Sequence, residues 1–213
     1  MKRLMIFMLA IFMVIGIGTA ANAAPVLMTG LDFYGGDTSY TQGDIDTYVE
    51  LNLGDTVMVD FVYEITDPVD PLAFGLWKAG FELDFNPAML SASNYTEVPL
   101  WTSYPGSDSG ISAGNVKFSG QEQAFMNSLS GTIITFQLTC LAVGSDDILF
   151  SDWDDGHYDW YLSILEDPNA ESPLDDIVNF GTIATVNNVP IPGAVWLLGS
   201  GLIGLVGLRR RRS

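Results

Sequence analysis

The sequence predicts an all-β domain in which two sheets pack face to face as a β-sandwich with Greek-key or jelly-roll connections. Apolar residues recur at every second position in roughly nine short segments, the pattern of strands that bury one face. Clusters of Gly, Pro, Asn, Asp and Ser separate these segments, as turns separate strands. Because each such strand has one apolar face, a second sheet is needed to cover it.

Three segments show the alternation most clearly, at residues 56–65, 76–85 and 131–141. Their predicted inward faces are Val57, Val59, Phe61, Tyr63 and Ile65, then Trp77, Ala79, Phe81, Leu83 and Phe85, then Ile134, Phe136, Leu138 and Cys140. In the second segment Lys78, Glu82 and Asp84 are expected on the opposite face. A fourth apolar face comprises Tyr158, Trp160, Leu162 and Ile164, and shorter strand candidates lie at 31–34, 47–53, 116–119, 148–150 and 177–186. Turns are expected at 67–71, 86–87, 105–110, 144–147 and 167–173.

The first 23 residues have the layout of a secretory signal peptide. Lys2 and Arg3 form a basic start, an uncharged apolar run follows, and small residues at Ala21 and Ala23 form an A-x-A cleavage site. The alternative is an uncleaved membrane anchor, but the apolar run of about 15 residues is short for a bilayer span. We therefore expect cleavage after residue 23 and a mature domain covering residues 24–188.

The C-terminal segment, residues 189–213, has the layout of a membrane anchor. No charge occurs between Val189 and Leu208, and four arginines, Arg209, Arg210, Arg211 and Arg212, follow. A helix of 20 residues reaches roughly 30 Å, the thickness of the bilayer core. Because positive charge beside a span favours the cytoplasmic side, the domain before it is expected outside.

In this tail Val189, Pro190, Ile191 and Pro192 precede a Trp-Leu-Leu-Gly-Ser-Gly-Leu run, further apolar residues and the arginines. This order of features resembles the PEP-CTERM sorting signal of Gram-negative bacteria. The family's Pro-Glu-Pro appears here as Pro-Ile-Pro, without the acid. The resemblance implies recognition by an exosortase-type membrane enzyme and a place at the cell surface or in the extracellular matrix, among exopolysaccharide and biofilm components. A plain single-pass anchor is the alternative.

The predicted domain is strongly acidic. Residues 24–188 contain all 26 acidic residues but only two basic ones, Lys78 and Lys117, which gives a net charge of −24. Nucleic acids and anionic membrane surfaces are therefore excluded as expected partners. Such charge is either screened as a soluble surface or neutralised by bound cations, of which calcium is the expected cofactor. Cys140 is the single cysteine, so the chain has no internal disulfide.

A second resemblance concerns the fold of the domain. It is carried by the sequences at 54–57, 79–90 and 130–136, including Phe85-Asn86-Pro87 followed by Leu90. This order is similar to cohesin modules, nine-stranded jelly rolls of bacterial surface and cellulosome proteins, over residues 54–164. The resemblance implies a cohesin-like sandwich, in which the leucine covers the core behind the turn. Cohesins of cellulosomes bind dockerins, but no residue set in this sequence transfers that partner.

Closely spaced aspartates suggest a calcium site between residues 146 and 155. Asp146 and Asp147 are followed by Asp152, Asp154 and Asp155, with a glycine next. Calcium prefers several oxygen ligands from flexible loops, although the spacing does not fit an EF-hand. A second, weaker candidate is the run from Gly43 to Asp46. In both places the alternative is an acidic turn exposed to water.

Aromatic residues suggest a carbohydrate contact. Strand parity turns Tyr158 and Trp160 inward, which leaves Trp101, Trp153 and Tyr161 as the expected exposed rings, on which a sugar face can stack. The alternative for each ring is packing in the core. We expect no catalytic activity, because His157 is the only histidine and Cys140 lies on an apolar face. The sequence thus favours an exported structural or adhesive protein, with a glycan-binding module as the alternative and a polysaccharide-active enzyme less favoured.

Overall fold

The computed structural model describes residues 26–66, 73–105, 107–122, 129–153, 161–164, 171–173 and 178–190. Within these ranges every regular element is a β-strand. The strands are β1 (Val26–Tyr34), β2 (Tyr48–Asn52), β3 (Thr56–Thr66), β4 (Ala73–Asp84), β5 (Leu90–Glu97), β6 (Trp101–Ser103), β7 (Gly110–Ser112), β8 (Asn115–Glu122), β9 (Ser130–Cys140), β10 (Gly144–Asp152), β11 (Tyr161–Ile164), β12 (Glu171–Pro173) and β13 (Gly181–Val189).

The smaller sheet has four antiparallel strands in the order β1-β3-β9-β5. Strand β1 pairs with β3 along the whole length of β1, so that Leu31 lies opposite Phe61 and Asp32 lies opposite Asp60. On its other side β3 pairs with β9. Strand β1 is an edge of this sheet, which leaves one side of its backbone available to the loop that follows it.

The larger sheet is arranged around the long strand β4. This strand pairs with β8 through residues 78–84, with β10 through 81–84 and with β11 through 73–78. Strands β6 and β7 extend the sheet beyond β8, and β13 extends it beyond β10. Strand β2 then pairs with β13 in parallel, so the sheet is mixed. The chain crosses repeatedly between the two sheets, for example from β3 to β4 and from β9 to β10.

Aromatic rings join the two sheets in a single core. Phe61 of the small sheet stacks on Phe81 of the large sheet, with ring centroids 4.0 Å apart and 18° between planes. Phe150 and Phe118 pack around Phe81 at centroid distances of 6.1 and 5.7 Å. All four side chains are buried. Since an aromatic side chain removes roughly 150–250 Å² from water, this cluster contributes much of the sandwich's stability.

The predicted two-sheet, all-β class and the three strongest strands are confirmed for the described residues. The predicted inward residues of β3 and β9 are all buried, as are Ala79, Phe81, Leu83 and Phe85 around β4. Lys78 differs from expectation: it is only 5% exposed although it lies on the face predicted to be polar. Strand β8 pairs beside it, and the long lysine stem lies along apolar surface when buried.

Two predicted turns are wrong. Residues 144–147 form the beginning of β10, and 171–173 form the short strand β12. Strand pairing overrides the turn propensity of Ser145, Asp146 and Asp147, because each is paired in register with β13. The turn at Asn86 and Pro87 is confirmed: the Asn86 side chain accepts a hydrogen bond from the Ala88 N–H at 3.0 Å.

The proposed signal peptide, including Ala21 and Ala23, lies outside the described residues, as does the tail from Ile191 to Ser213 with its four arginines. Among the residues described, no helix is long and apolar enough to cross a membrane. Of the tail-motif residues, Val189 ends β13 opposite Asn52, and Pro190 follows it exposed to solvent.

Candidate functional site: an acid pocket under the β1–β2 loop

The loop between β1 and β2, residues 35–47, folds back over the outer face of the small sheet. It starts with two glycines, Gly35 and Gly36, which both have φ of 63°. Such left-handed backbone favours glycine, and a side chain at Gly36 would also collide with the carbonyl oxygen of Thr56. The backbone N–H of Asp37 donates to the same oxygen at 2.9 Å. The tight turn therefore directs the loop across β3.

The far end of the loop is fixed to the free edge of β1. The Asp46 N–H donates to the carbonyl oxygen of Leu31 at 2.8 Å, and the Asp46 carboxylate accepts from the Phe33 N–H at 3.0 Å. Ile45 lies directly over Gly30, where any larger residue would displace it. Both ends of the loop are thus attached, and its middle covers the position where β1 and β3 carry their acids.

Those acids are Asp32 and Asp60, which lie directly opposite each other on neighbouring strands. Their neighbours in sequence, Leu31, Phe33 and Phe61, point into the core, so the two carboxylates point to the outer face. Even so, each is only 4% exposed, because the loop covers them. Side chains paired in this way have Cβ atoms roughly 5 Å apart, which brings two negative charges together.

The two carboxylates differ in how they are satisfied. Asp60 accepts hydrogen bonds from the Tyr34 hydroxyl at 3.0 Å, the Thr135 hydroxyl at 2.6 Å and the Gln42 amide at 3.0 Å. Asp32 accepts one through Oδ2, from the Gly43 N–H at 2.7 Å. Its Oδ1 is buried and has no hydrogen-bond partner among the described residues. A buried carboxylate oxygen without a partner is costly, and it indicates that a ligand or proton is accommodated there.

A pocket of about 320 Å³ lies above this pair, and we call it the acid pocket. Its lining residues include Asp32, Asp60, Gln42, Asp44 and Glu64. Asp44 and Glu64 are exposed at its rim, whereas the first two acids form its buried part. The pocket is therefore open to water at one side, and the charged residues that line it are all acidic.

The electrostatics of the acid pocket favour a positive ligand. Burial raises the pKa of Asp32, and the charges of Asp60, Asp46 and Asp44 raise it further, against a lowering by the Gly43 N–H. Burial and the hydrogen bond to Asp60 likewise raise the pKa of Tyr34 to about 12. Within residues 24–188 the only basic side chains are Lys78 and Lys117, and both belong to strands of the other sheet. The pocket can hold a cation or a proton, but it is unsuited to an anion.

The structure does not bring the first group of predicted metal ligands together. Asp146 and Asp147 are adjacent residues of β10, so their side chains point to opposite faces. Asp146 accepts from the Asn86 N–H at 2.8 Å, and Asp147 accepts from the Thr185 hydroxyl at 2.7 Å. Asp152 ends the same strand, about 20 Å from Asp146 at the usual rise per residue. The expectation of one acidic loop is wrong for these three.

Asp154 and Asp155 lie outside the described residues. Within the described ranges, no three histidine, cysteine, aspartate or glutamate side chains stand as a ready-made set of metal ligands. The weaker candidate of the sequence, residues 43–46, is the one that lies at the acid pocket.

The predicted exposure of Trp101 is wrong. Its ring is only 4% exposed and packs edge-on against Tyr63 and Phe118, at centroid distances of 6.2 and 5.8 Å. The reason is that short strand β6 pairs with β8, which turns the ring into the end of the core. Trp153 is half-buried, and the Lys117 ammonium lies 5.1 Å from its ring centroid. Tyr161 belongs to β11, but its side chain is outside the described part.

Cys140 is buried, as its position on the apolar face of β9 predicts. Burial raises the pKa of its thiol, which keeps it in the unreactive neutral form. His157, the single histidine, lies outside the described residues.

Sequence reasoning missed Asp32 and Asp60, the two acids at the centre of the pocket. Both occupy positions with polar-face parity in apolar strands, which predicts exposure to water. One feature of the sequence could have indicated their burial. Each aspartate has a large apolar residue on both sides, in Leu31-Asp32-Phe33 and Val59-Asp60-Phe61. Nothing in the local pattern indicates that a loop of 13 residues folds over them.

Comparisons with known proteins give no family assignment. No family model matches the chain, and no curated protein matches it. Among solved structures, the chain is similar to a cohesin from Clostridium acetobutylicum, with 9% identity, a TM-score of 0.44, and coverage of 79% of this chain and 92% of that one. A non-cellulosomal cohesin from the archaeon Archaeoglobus fulgidus gives 11% identity, a TM-score of 0.40 and coverage of 78% and 92%. A type I cohesin from Pseudobacteroides cellulosolvens gives 12% identity, a TM-score of 0.39, and coverage of 68% of this chain and 90% of that one.

Proposed function

We propose that this chain is an exported, non-enzymatic protein of the cell surface or extracellular matrix of a Gram-negative bacterium. In this proposal an N-terminal signal peptide directs export, and the C-terminal tail serves as a PEP-CTERM-like signal for an exosortase-type enzyme. The tail anchors the protein in the membrane at least transiently. The acidic sandwich then has a structural or adhesive role among extracellular polysaccharides.

The observation that carries the proposal is the position at which strand β13 ends. Strand β13 ends at Val189, whose carbonyl oxygen accepts a hydrogen bond from the Leu53 N–H at 3.1 Å. Pro190 follows immediately and is exposed. The Pro-Ile-Pro sequence therefore begins where strand pairing stops, and a proline here favours extended backbone before it. An extended segment at the edge of a folded domain is what a processing enzyme can bind.

The charge of the domain supports the same proposal. With 26 acidic residues against two lysines, the surface repels nucleic acids and stays soluble outside the cell. One of the two lysines, Lys117, forms an ion pair with Glu82 at 3.1 Å. If the polysaccharide is acidic, shared divalent cations would offset the repulsion between it and the domain, so adhesion to it predicts dependence on divalent ions. The glycan-binding alternative is weakened, because Trp101 offers no exposed ring.

Cell fractionation with two tail variants tests the sorting role. The first variant ends at Pro190, which keeps the β13 residue Val189 and its hydrogen bond; we expect it in the medium instead of the membrane fraction. The second replaces Arg209–Arg212 with glutamine and keeps the uncharged segment of 20 residues. We expect it to remain in membranes but to lose the processing and surface display of the wild type.

Both outcomes can contradict the proposal. If the variant ending at Pro190 still sediments with membranes, the tail is not the anchor. If the glutamine variant matches the wild type in mass and location, the tail is a plain anchor and not a sorting signal. Mass spectrometry of the exported protein should also give an N-terminus near Ala24, whereas an intact Met1 would refute cleavage.

A further inference from the structure

We infer that the acid pocket under the β1–β2 loop binds a hard divalent cation, with calcium as the best fit. The inference starts from Asp32, whose Oδ1 is buried and lacks a hydrogen-bond partner among the described residues. Asp32 lines a pocket of about 320 Å³ that three further acids, Asp60, Asp44 and Glu64, also line. It does not depend on the sorting role of the tail.

The pocket offers the ligand type that calcium prefers. Calcium takes six to eight oxygens at about 2.3–2.6 Å, from carboxylates, amide or backbone carbonyls and water. Among the described residues, Asp32 Oδ1 has no hydrogen-bond partner and Asp60 Oδ2 accepts one hydrogen bond, which leaves it a lone pair. Asp44 and the side-chain oxygen of Gln42 are further candidates in the pocket lining, and its opening admits water. None of the described residues that line it carries an imidazole or a thiol, which disfavours zinc or copper.

Charge distinguishes a divalent cation from a proton. A proton on Asp32 neutralises one charge and leaves the charges of Asp60, Asp46 and Asp44 around it. A divalent ion neutralises the pair and attracts the acids around it. Neither lysine of the domain can do this, because Lys78 and Lys117 lie in strands β4 and β8 of the other sheet.

The loop has the construction expected of a segment that closes on an ion. It is attached at both ends, through Asp37 and Asp46, while its middle carries Gln42, Gly43 and Asp44. Gly43 has φ of 122°, and a Cβ there would meet nothing within 4 Å. Gly43 already contacts Asp32 through its N–H at 2.7 Å. Because the carboxylates do not stand as a complete set, the inference requires the Asp44 side chain to move towards Asp32 on binding.

Terbium luminescence tests the inference on the full chain purified in detergent. Terbium chloride alone is the probe, because this ion replaces calcium at oxygen sites and emits when an adjacent tyrosine is excited. Tyr34 provides that ring, since its hydroxyl lies 3.0 Å from Asp60. We expect saturable emission that calcium chloride displaces. Calcium titration calorimetry then gives the affinity independently of any aromatic residue.

Three variants locate the site. Asp32→Asn and Asp44→Asn are each expected to weaken calcium binding by at least about tenfold, the lower limit for disturbing even an outer partner of a metal site. Asp147→Asn removes the same charge from an exposed strand position on the other sheet, so it is the matched control with unchanged affinity. Asp44 is exposed in the loop, so Asp44→Asn is expected to fold. Its calcium affinity therefore tests the site if Asp32→Asn does not fold.

Two results would overturn the inference. One is wild-type protein without calcium-displaceable emission and without calorimetric calcium binding. The other is binding that Asp32→Asn and Asp44→Asn weaken no more than Asp147→Asn does, which shows diffuse attraction to an acidic surface. If the pocket holds a proton instead of a metal ion, the wild type would show neither calcium-displaceable emission nor calcium binding.

Discussion

Replacing Asp32 by asparagine should stabilise the metal-free protein at neutral pH. The amide has the shape of the carboxylate and keeps an oxygen that accepts from the Gly43 N–H, now 2.7 Å from Asp32 Oδ2. It removes a buried negative charge that faces Asp60, and it places an NH₂ donor beside acidic neighbours. The substitution therefore turns an unsatisfied acceptor into a donor with nearby acceptors.

The size of the effect follows from the unpartnered Oδ1. Leaving a buried polar group unsatisfied costs about 1–3 kcal/mol, and more when it is charged. We therefore expect the free energy of unfolding to rise by about 1–3 kcal/mol in Asp32→Asn with a chelator present. On a protein of ordinary stability this is a large change, since domains unfold with only about 5–15 kcal/mol.

The pH dependence gives the prediction its sign. Because folding raises the pKa of Asp32 above its ordinary 3.8, the folded state holds this proton more tightly than the unfolded state. The wild type therefore loses stability as pH rises from 3.8 through the raised pKa, and asparagine has no such loss. The stability advantage of the variant should therefore grow as pH rises through the raised pKa of Asp32. Below pH 3.8 this titration should contribute nothing to it.

Urea unfolding followed by tryptophan fluorescence measures the difference in free energy of unfolding between the variant and the wild type. The measurement is made with a chelator present, at neutral pH and again below pH 3.8. A chain ending at Pro190 is suitable, because β13 is complete at Val189. Asp147→Asn should change stability by no more than about 0.5 kcal/mol, as exposed substitutions do. If Asp32→Asn is less stable than the wild type at neutral pH, or if its effect does not depend on pH, the buried-charge argument is wrong.

Three further predictions address the core, the loop and the neighbouring phenol. Phe81→Ala should cost about 3–5 kcal/mol in urea unfolding, because Phe81 stacks between the sheets; a loss below about 1 kcal/mol would contradict the packing. Gly36→Ala should lower the melting temperature more than Gly35→Ala. Both glycines have φ of 63°, but only at Gly36 would a Cβ atom also meet the Thr56 carbonyl oxygen. Equal effects on the melting temperature would contradict that contact. Tyr34 should ionise near pH 12, as measured by ultraviolet difference titration of the wild type against Tyr34→Phe. The stability that the neutral phenol contributes should be lost as pH rises from 10 to 12. Ionisation near pH 10 would contradict the contact between Tyr34 and Asp60.

Strand positions could be predicted from sequence where alternation was strong. In β3 the apolar positions from Val57 to Ile65 fix both the strand and its inward face, since a slip of one residue would expose every one of them. Weaker strands escaped prediction. Strand β5 reads Leu-Ser-Ala-Ser-Asn-Tyr-Thr-Glu, with few apolar residues and an irregular register around Asn94, whose φ is 54°. Such a strand exists because β9 offers it a partner, which no local pattern reveals.

The candidate site was harder to predict because it is assembled by tertiary structure. Asp32 and Asp60 are 28 positions apart and meet only through the β1–β3 pairing. Their burial comes from a third segment, which returns over the sheet after the turn at Gly36. The acidic run from Asp146, by contrast, was conspicuous in sequence but is pulled apart by strand alternation. Proximity in sequence predicts a shared site only where the backbone is not extended.

The uneven placement of charge explains why a cation would matter to this domain. Both lysines lie in the large sheet, where Lys117 pairs with Glu82 and lies over Trp153. The outer face of the small sheet has no basic residue of the domain to balance Asp32 and Asp60. A bound ion stabilises the folded state in proportion to the logarithm of its concentration above the dissociation constant. A domain that meets calcium only after export would therefore gain stability where it works, and the β1–β2 loop would be the part that responds.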